Sequence, residues 1–292
     1  MTDNRADLSY SRHEKHELSL SQKDRLPSCY SSPQSVDAWR HRRMYSIIMP
    51  ILDAHPGATW MTVGDGAYGS DAYFLRANGA DVTATSLTDH TLSIAKEKGY
   101  IDRYRVENAE KLTAADASFD FVFCKESYHH FPRPPIAFYE MLRVARKAVI
   151  LIEPQESSER VMDYAKRITK RLIRGDQSTS FEGDGNGNFI FKINPKELAK
   201  MMTSLNYELV AIKKFNDFYH PRLAHSLYAK LSFPTVMTKM GIALQNLLCT
   251  MNLLDYAGAA FIAFKDSPSE DLRHKLKRHG FRCMLLPKNP YV

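Results

Sequence analysis

"WMTVGDGAYGSD", residues 60–71, places Gly64, Gly66 and Gly69 directly after an apolar run and directly before an amphipathic one. Glycine permits backbone conformations and close approaches that a β-carbon forbids, so this pattern reads as the strand-to-helix turn at which an α/β sheet cradles a nucleotide. The spacing satisfies G-x-G-x-x-G, the dinucleotide fingerprint, and satisfies looser glycine turns equally well. A dinucleotide presents a pyrophosphate to the helix N-terminus, whereas a nucleoside cofactor without phosphate needs only backbone clearance. The turn alone leaves both open.

Outward from the turn, short apolar runs alternate with amphipathic stretches. "TWMTV" (59–63), "DVTATSL" (81–87), "YRVEN" (104–108), "FDFVFCK" (119–125) and "KAVILIEP" (147–154) read as strands. Between them, "DAYFLRANG" closes a helix at Asn78-Gly79, "DHTLSIAKEKG" ends one at Gly99, and "PPIAFYEMLRVA" starts one on proline. Ahead of the first strand, a helix is predicted from Ser35, with Val36, Trp39, Met44, Ile47, Ile48 and Ile51 on one face and Pro50 disturbing its end. Such alternation predicts an α/β fold, a Rossmann-like, doubly wound, mostly parallel sheet of seven strands with helical cap insertions. Open sheets of this kind bind ligands where strands end.

The second half continues the pattern with insertions. "SSERVMDYAKRITKRLIRG" (157–175) reads as a basic helix, "NFIFKI" (188–193) as a strand, "NPKELAKMMTSLN" (194–206) as a helix, and "YELVAIKKF" (207–215) and "AGAAFIAFKD" (257–266) as strands. Met237, Met240, Leu244, Leu247, Leu248, Met251 and Leu254 recur at helical spacing, a stripe expected to be core or a dimer seam, with a hydrophobic acceptor pocket as the alternative. "DLRHKLKRHGFRC" reads as a basic, solvated amphipathic tail. Residues 1–34, rich in serine, charge and histidine, are expected to be a flexible segment, or to fold only as a lid, ahead of a single domain over 35–292. Within that domain, the half to about residue 154 is read as cofactor-binding and the rest as substrate cap and C-terminal half.

Composition narrows the class. The 292 residues carry a net charge of +7, but the basic side chains are scattered, so nucleic acid is not implied. Cys29, Cys124, Cys249 and Cys283 lie far apart without C-x-x-C, excluding a zinc knuckle or disulfide scaffold and pointing to reduced thiols in a cytoplasm. The opening residues lack a signal-like apolar stretch, and no apolar run is long enough to span a bilayer. "EGDGNGNFIFKI" (182–193) resembles a calcium loop only until its twelfth position, Ile193, where a glutamate is needed, so no metal is expected.

The stretch from Glu107 to Pro154, "ENAEKLTAADASFDFVFCKESYHHFPRPPIAFYEMLRVARKAVILIEP", resembles the class I S-adenosylmethionine-dependent methyltransferases. With the glycine turn, the resemblance covers about residues 60–154. It implies S-adenosyl-L-methionine as cofactor and a cofactor site comprising Gly64, Asp65, Gly66, Tyr68, Ser86, Leu87, Asn108, Ala109, Glu110, Lys125 and Glu126. The chain departs from the family at three points. Thr62 stands where an acid is common, Tyr68 where a third glycine is usual, and Ser86 where a ribose-binding acid usually closes the second strand. A carboxylate restored at 86 is therefore expected to be neutral or favourable for binding.

Methyl transfer from a sulfonium asks mainly for alignment and exclusion of water. An alcohol acceptor also needs a base, and "KESYHHF" supplies His129 and His130 just past the fourth strand. His130 is read as the base and His129 as its orienter or a substrate contact. The resemblance extends to enzymes of polysaccharide and specialised-metabolite pathways, which implies O-methylation of a sugar or other small hydroxyl-bearing acceptor by a cytoplasmic protein, with a homodimer possible. A cofactor-binding protein without catalysis is the second reading, given Ser86. A nicotinamide oxidoreductase is the third, and it lacks the Tyr-x-x-x-Lys pair of one common type.

Overall fold

The computed structural model describes residues 4–23, 26–156 and 190–292. The chain opens with helices α1 (Asn4–Gln22), α2 (Ser28–Ser31) and α3 (Val36–Tyr45), a 3₁₀ turn at Ser46–Ile48, and α4 (Met49–Ala54). It then alternates β1 (Thr59–Thr62), α5 (Ser70–Ala77), β2 (Asp81–Ser86), α6 (Leu92–Glu97), β3 (Tyr104–Val106), β4 (Phe119–Lys125), a 3₁₀ turn at Tyr128–His130, α7 (Pro134–Val144) and β5 (Ala145–Pro154). After the undescribed residues come α8 (Pro195–Ser204), β6 (Leu209–Phe215), α9 (Pro221–Ala224), α10 (Phe233–Thr250), β7 (Gly258–Phe264), α11 (Glu270–Arg278) and β8 (Arg282–Leu285).

The strands form one sheet of order β3-β2-β1-β4-β5-β7-β6-β8. The first five pair in parallel, whereas β7 runs antiparallel to both β5 and β6, and β8 antiparallel to β6. Alternation along each strand feeds two cores. Trp60, Phe121, Phe123, Ile150 and Ile262 pack on one face with Ile51, Leu75 and Leu276 of the covering helices. Met61, Val122, Leu151 and Phe261 pack on the other with Phe138, Met141 and Met202. A period of two on a sheet covered on both sides lets central strands bury residues on both faces, as in β4 and β7, whose residues are all buried.

Four features bear on the sequence reading. Among the described residues the sheet has eight strands rather than seven, because the basic tail turns at Gly280 and its last residues pair with the open edge of β6. Of "NFIFKI", the described part makes only a single bridge, Ile193 to Gln155. Most of the stripe along α10 is not core, with Met240, Leu244, Leu247 and Met251 56–59% exposed and Leu254 buried, while Thr235, Thr238, Ile242 and Cys249 face inward; this exposure leaves the dimer-seam alternative open. The segment read as flexible or as a lid contains the helix α1, whose side chains reach the sheet edge. The predicted basic helix over 157–175 and most of the glycine-asparagine turn over 182–193 lie outside the described residues. No described helix is long and apolar enough to cross a membrane.

Tyr68 shows how α1 is held. Its φ of +54° is the left-handed conformation in which a glycine is at ease, and Gly69 follows at +65°. The phenol makes up for the backbone cost: Tyr68 is fully buried, its hydroxyl donates to the Leu20 carbonyl at 3.0 Å, and its own carbonyl accepts from the Tyr30 hydroxyl at 3.0 Å. Replacing Tyr68 by Gly relieves about 1 kcal/mol of backbone strain and forfeits about 3–5 kcal/mol of aromatic burial. Chemical denaturation is expected to report a net loss of about 2–4 kcal/mol, with Tyr68→Phe losing about 1 kcal/mol.

Candidate active site at the glycine turn

The turn after β1 is held from beneath by a buried carboxylate. Asp65 accepts from the backbone N–H of Asp71 (3.1 Å) and Ala72 (2.9 Å) at the start of α5 and from the Thr62 hydroxyl (3.0 Å). Its own N–H donates to the Thr85 carbonyl of β2 at 2.8 Å. Burial, reinforced by Asp71, pushes the Asp65 pKa well above the usual carboxylate range. Gly64 is favoured by its φ of +76° and by contact, and Gly66 by contact alone. A β-carbon on Gly64 would lie 2.6 Å from the Ser127 β-carbon, and one on Gly66 would lie 2.5 Å from Glu17 Oε1 and 2.9 Å from Ser86 Oγ. Ser127 in turn donates to the Gly64 carbonyl at 2.7 Å, joining the β1 turn to the loop after β4.

A cavity of about 400 Å³ opens above this turn. Gly64, Gly66, Ser86, Leu87, Asn108, Ala109, Glu110, Glu126 and His130 all line it. Its roof is α1, whose Tyr10, His13, Glu17 and Leu20 recur at helical spacing and face inward. Three further contacts hold that roof: Tyr10 Oη donates to Glu110 at 2.6 Å, His13 Nε2 donates to the His130 carbonyl at 3.0 Å, and Glu17 accepts from Ser86 and Thr88. Burial raises the Glu17 pKa, against the two hydroxyl hydrogen bonds that favour its charge.

The comparisons with known proteins bear on the same stretch. A model of the methyltransferase domain matches residues 61–152, from β1 to the end of β5. Over these residues the chain resembles a methyltransferase domain. The chain is 31% identical over 100 residues to the 2-methyl-6-phytyl-1,4-hydroquinone methyltransferase of a Synechocystis species, covering 33% of this chain and 31% of the relative. It is 30% identical over 125 residues to Methyltransferase GfsG of Streptomyces halstedii, covering 40% of this chain and 45% of the relative. The chain therefore spans less than half the length of the curated relatives it matches. A SAM-dependent methyltransferase from Archaeoglobus fulgidus shares its fold, with a TM-score of 0.50 at 14% identity over 77% of this chain and 94% of that one.

Of the thirteen residues that the sequence singles out in this stretch, Asp65, Tyr68, Lys125 and His129 stand behind the cavity wall rather than on it. Lys125 is buried beneath Glu126, its ammonium 2.7 Å from Glu126 Oε2, 3.9 Å from Asp71 Oδ1 and 4.9 Å from the Tyr45 ring centre. Burial works against that charge, but Glu126 and Asp71 outweigh it and raise the lysine pKa. Glu126, in the left-handed region at φ +52°, answers in kind. Burial pushes its pKa up, and Lys125 and His41 overcome this to hold it at about 2. Asn108 turns its side-chain oxygen to the Glu110 N–H at 2.9 Å, shaping the turn after β3.

The two histidines part company. His130 lines the cavity. His129 is buried, with Nδ1 2.6 Å from Glu153 Oε2. The same carboxylate accepts from the N–H groups of Ser127 (2.9 Å) and Tyr128 (3.0 Å), fixing the 3₁₀ turn that carries both rings. Sequence reasoning passed over Glu153, which reads as the end of a strand, and over Glu17 and Tyr10, whose partners lie far along the chain. Glu153→Leu strands three donors in a buried place and is expected to cost about 3–5 kcal/mol in urea unfolding, with Glu153→Gln, which keeps an acceptor, losing less.

Proposed function

We propose that this chain is an S-adenosylmethionine-dependent methyltransferase acting on a small hydroxyl-bearing acceptor. The observation that carries this reading is the charge around the cavity. Glu17, Glu107, Glu110 and Glu126 line it, and among the described residues neither lysine nor arginine does. A pyrophosphate there meets like charges, at about 4 kcal/mol for each close pair near a protein surface. A sulfonium and an ammonium meet opposite ones. This favours the methyltransferase reading over a nicotinamide enzyme, for which the G-x-G-x-x-G spacing alone argued equally well.

In this reading Leu87, Asn108, Ala109 and Glu110 hold the adenine end, Ser86 the ribose region, and Gly64, Gly66 and Glu126 the methionyl arm. Asp65, Tyr68 and Lys125 hold those groups in place from behind. When bound, the cofactor supplies a methyl group on a sulfonium whose departure leaves a neutral thioether. The chain aligns the acceptor, keeps water out beneath α1, and takes the acceptor's proton. We assign that proton to His130, which lines the cavity in the turn after β4, with His129, anchored by Glu153, positioning it. A sugar hydroxyl is the first acceptor class to test, in keeping with glycan or specialised-metabolite assembly. The Synechocystis relative is named for a hydroquinone, also a hydroxyl-bearing molecule, which supports the broader class.

Calorimetry is expected to show S-adenosylhomocysteine binding with negligible NADPH binding, and the reverse order defeats the assignment. With an accepted alcohol, His130→Ala is expected to lower turnover by about 10²- to 10⁴-fold while S-adenosylhomocysteine affinity stays near wild type. Wild-type turnover should rise with pH through the imidazole range, because only neutral imidazole accepts a proton. Undiminished turnover in His130→Ala rules out this base.

A further inference from the structure

The end of β2 carries a serine, yet the space beside it holds a carboxylate. Glu17, 69 residues earlier in the chain, brings Oε1 to 2.5 Å from Ser86 Oγ and Oε2 to 2.5 Å from Thr88 Oγ1. It is 8% exposed and lines the cavity. A carboxylate has about four acceptor positions, two on each oxygen. Ser86 and Thr88 take one on each, leaving one on each oxygen beside the glycine turn. Two acceptors fixed side by side match the two O–H donors of a vicinal diol, whereas a single hydroxyl uses only one of them.

We propose that Glu17, carried by α1, is the ribose-binding carboxylate of this site, accepting the 2′- and 3′-hydroxyls of the cofactor in place of an acid at the end of β2. This rests on the methyltransferase reading above. Gly66 has a second duty in this arrangement, since its missing β-carbon is what lets the Glu17 carboxylate approach Ser86. Thr88 and Ser86 act as the carboxylate's fixed donors, which lowers the cost of placing it under the roof. The ribose grip therefore belongs to the roof and not to the sheet. Occupancy of the diol site and closure of α1 are linked: whatever binds the carboxylate also holds the helix down.

The linkage reverses the expectation drawn from sequence for residue 86. With Glu17 in place, Ser86→Asp sets two carboxylates in one gap and removes a donor, so affinity falls instead of holding or rising.

The test measures the binding of S-adenosylhomocysteine and of its 2′-deoxyribosyl analogue by calorimetry to wild type, Glu17→Ala, Glu17→Gln, Ser86→Asp and the double variant Glu17→Ala/Ser86→Asp. Wild type is expected to prefer the ribosyl ligand by roughly ten- to a hundred-fold, the worth of a hydrogen bond to a charged group. Glu17→Ala should lose affinity by a similar factor and lose the preference as well. Glu17→Gln keeps the shape of the side chain and should also lose most of the preference. Ser86→Asp alone should weaken binding, and the double variant should regain both affinity and preference, which a roof merely detached by the alanine cannot explain. Wild-type affinity in Glu17→Ala, or an undiminished preference for the ribosyl ligand in that variant, overturns the assignment. Failure of wild type to bind S-adenosylhomocysteine at all overturns the methyltransferase reading and this inference with it.

Discussion

The site depends on a carboxylate that stands behind the cavity wall. Asp65 lies under the β1 turn and satisfies two N–H groups at the start of α5, which otherwise have no partner within the helix. Because its N–H is also bonded to β2, the turn has one position relative to two strands and a helix at once. Gly64 and Gly66 then face the cavity with nothing but backbone, and Tyr68 is driven into the left-handed region with its ring in the core. A neutral residue at 65 satisfies fewer of these donors, and the backbone surface above it loses its definition.

Around that turn the protein tolerates a concentration of acid by distributing the means of compensation. Lys125 stands between Glu126 and Asp71, and Arg133 pairs with Glu110 from outside the cavity through Nε (2.7 Å) and its backbone N–H (2.6 Å). Glu153 is met by His129 and two backbone donors. Burial raises the Asp71 pKa to about 6, even with Lys125 opposing it and Tyr45 donating a hydrogen bond. Protonation of that group therefore favours the folded state, and its contribution to stability diminishes as pH rises from the ordinary aspartate range toward 6. Glu126 has the opposite sign: its contribution is complete above the ordinary glutamate range and is lost as pH falls toward about 2. The cations stay behind the wall, and the face presented to a ligand remains acidic.

The roof differs in kind from the walls. Strands β1, β2 and β4 are fixed by ladder hydrogen bonds and by cores on both faces, whereas α1 is held over the cavity by a few polar contacts made by residues 10 to 20. An element held by few buried apolar contacts opens at lower free energy than the sheet beneath it. A covered cavity therefore remains accessible without unfolding the domain, and the polar contacts that hold the cover are ones a ligand can join.

The sequence by itself determined the α/β class, the positions of the early strands and the location of the glycine turn, because these follow from periodicity and glycine chemistry within a few residues of chain. "FDFVFCK" became β4 with both ends where the apolar run begins and ends, and Ser35 caps α3 through the Ala38 N–H as its residue type suggests. Tertiary structure decided what depended on distant neighbours. β8 needed the open edge of β6, and the stripe on α10 turned outward because threonines, Ile242 and Cys249 took the inner face. The division of His129 from His130 was set by Glu153 across the sheet edge. Ser86 looked like the loss of an acid because local sequence reports only what a strand carries; the carboxylate comes from a helix 69 residues away, and only folding brings the two together.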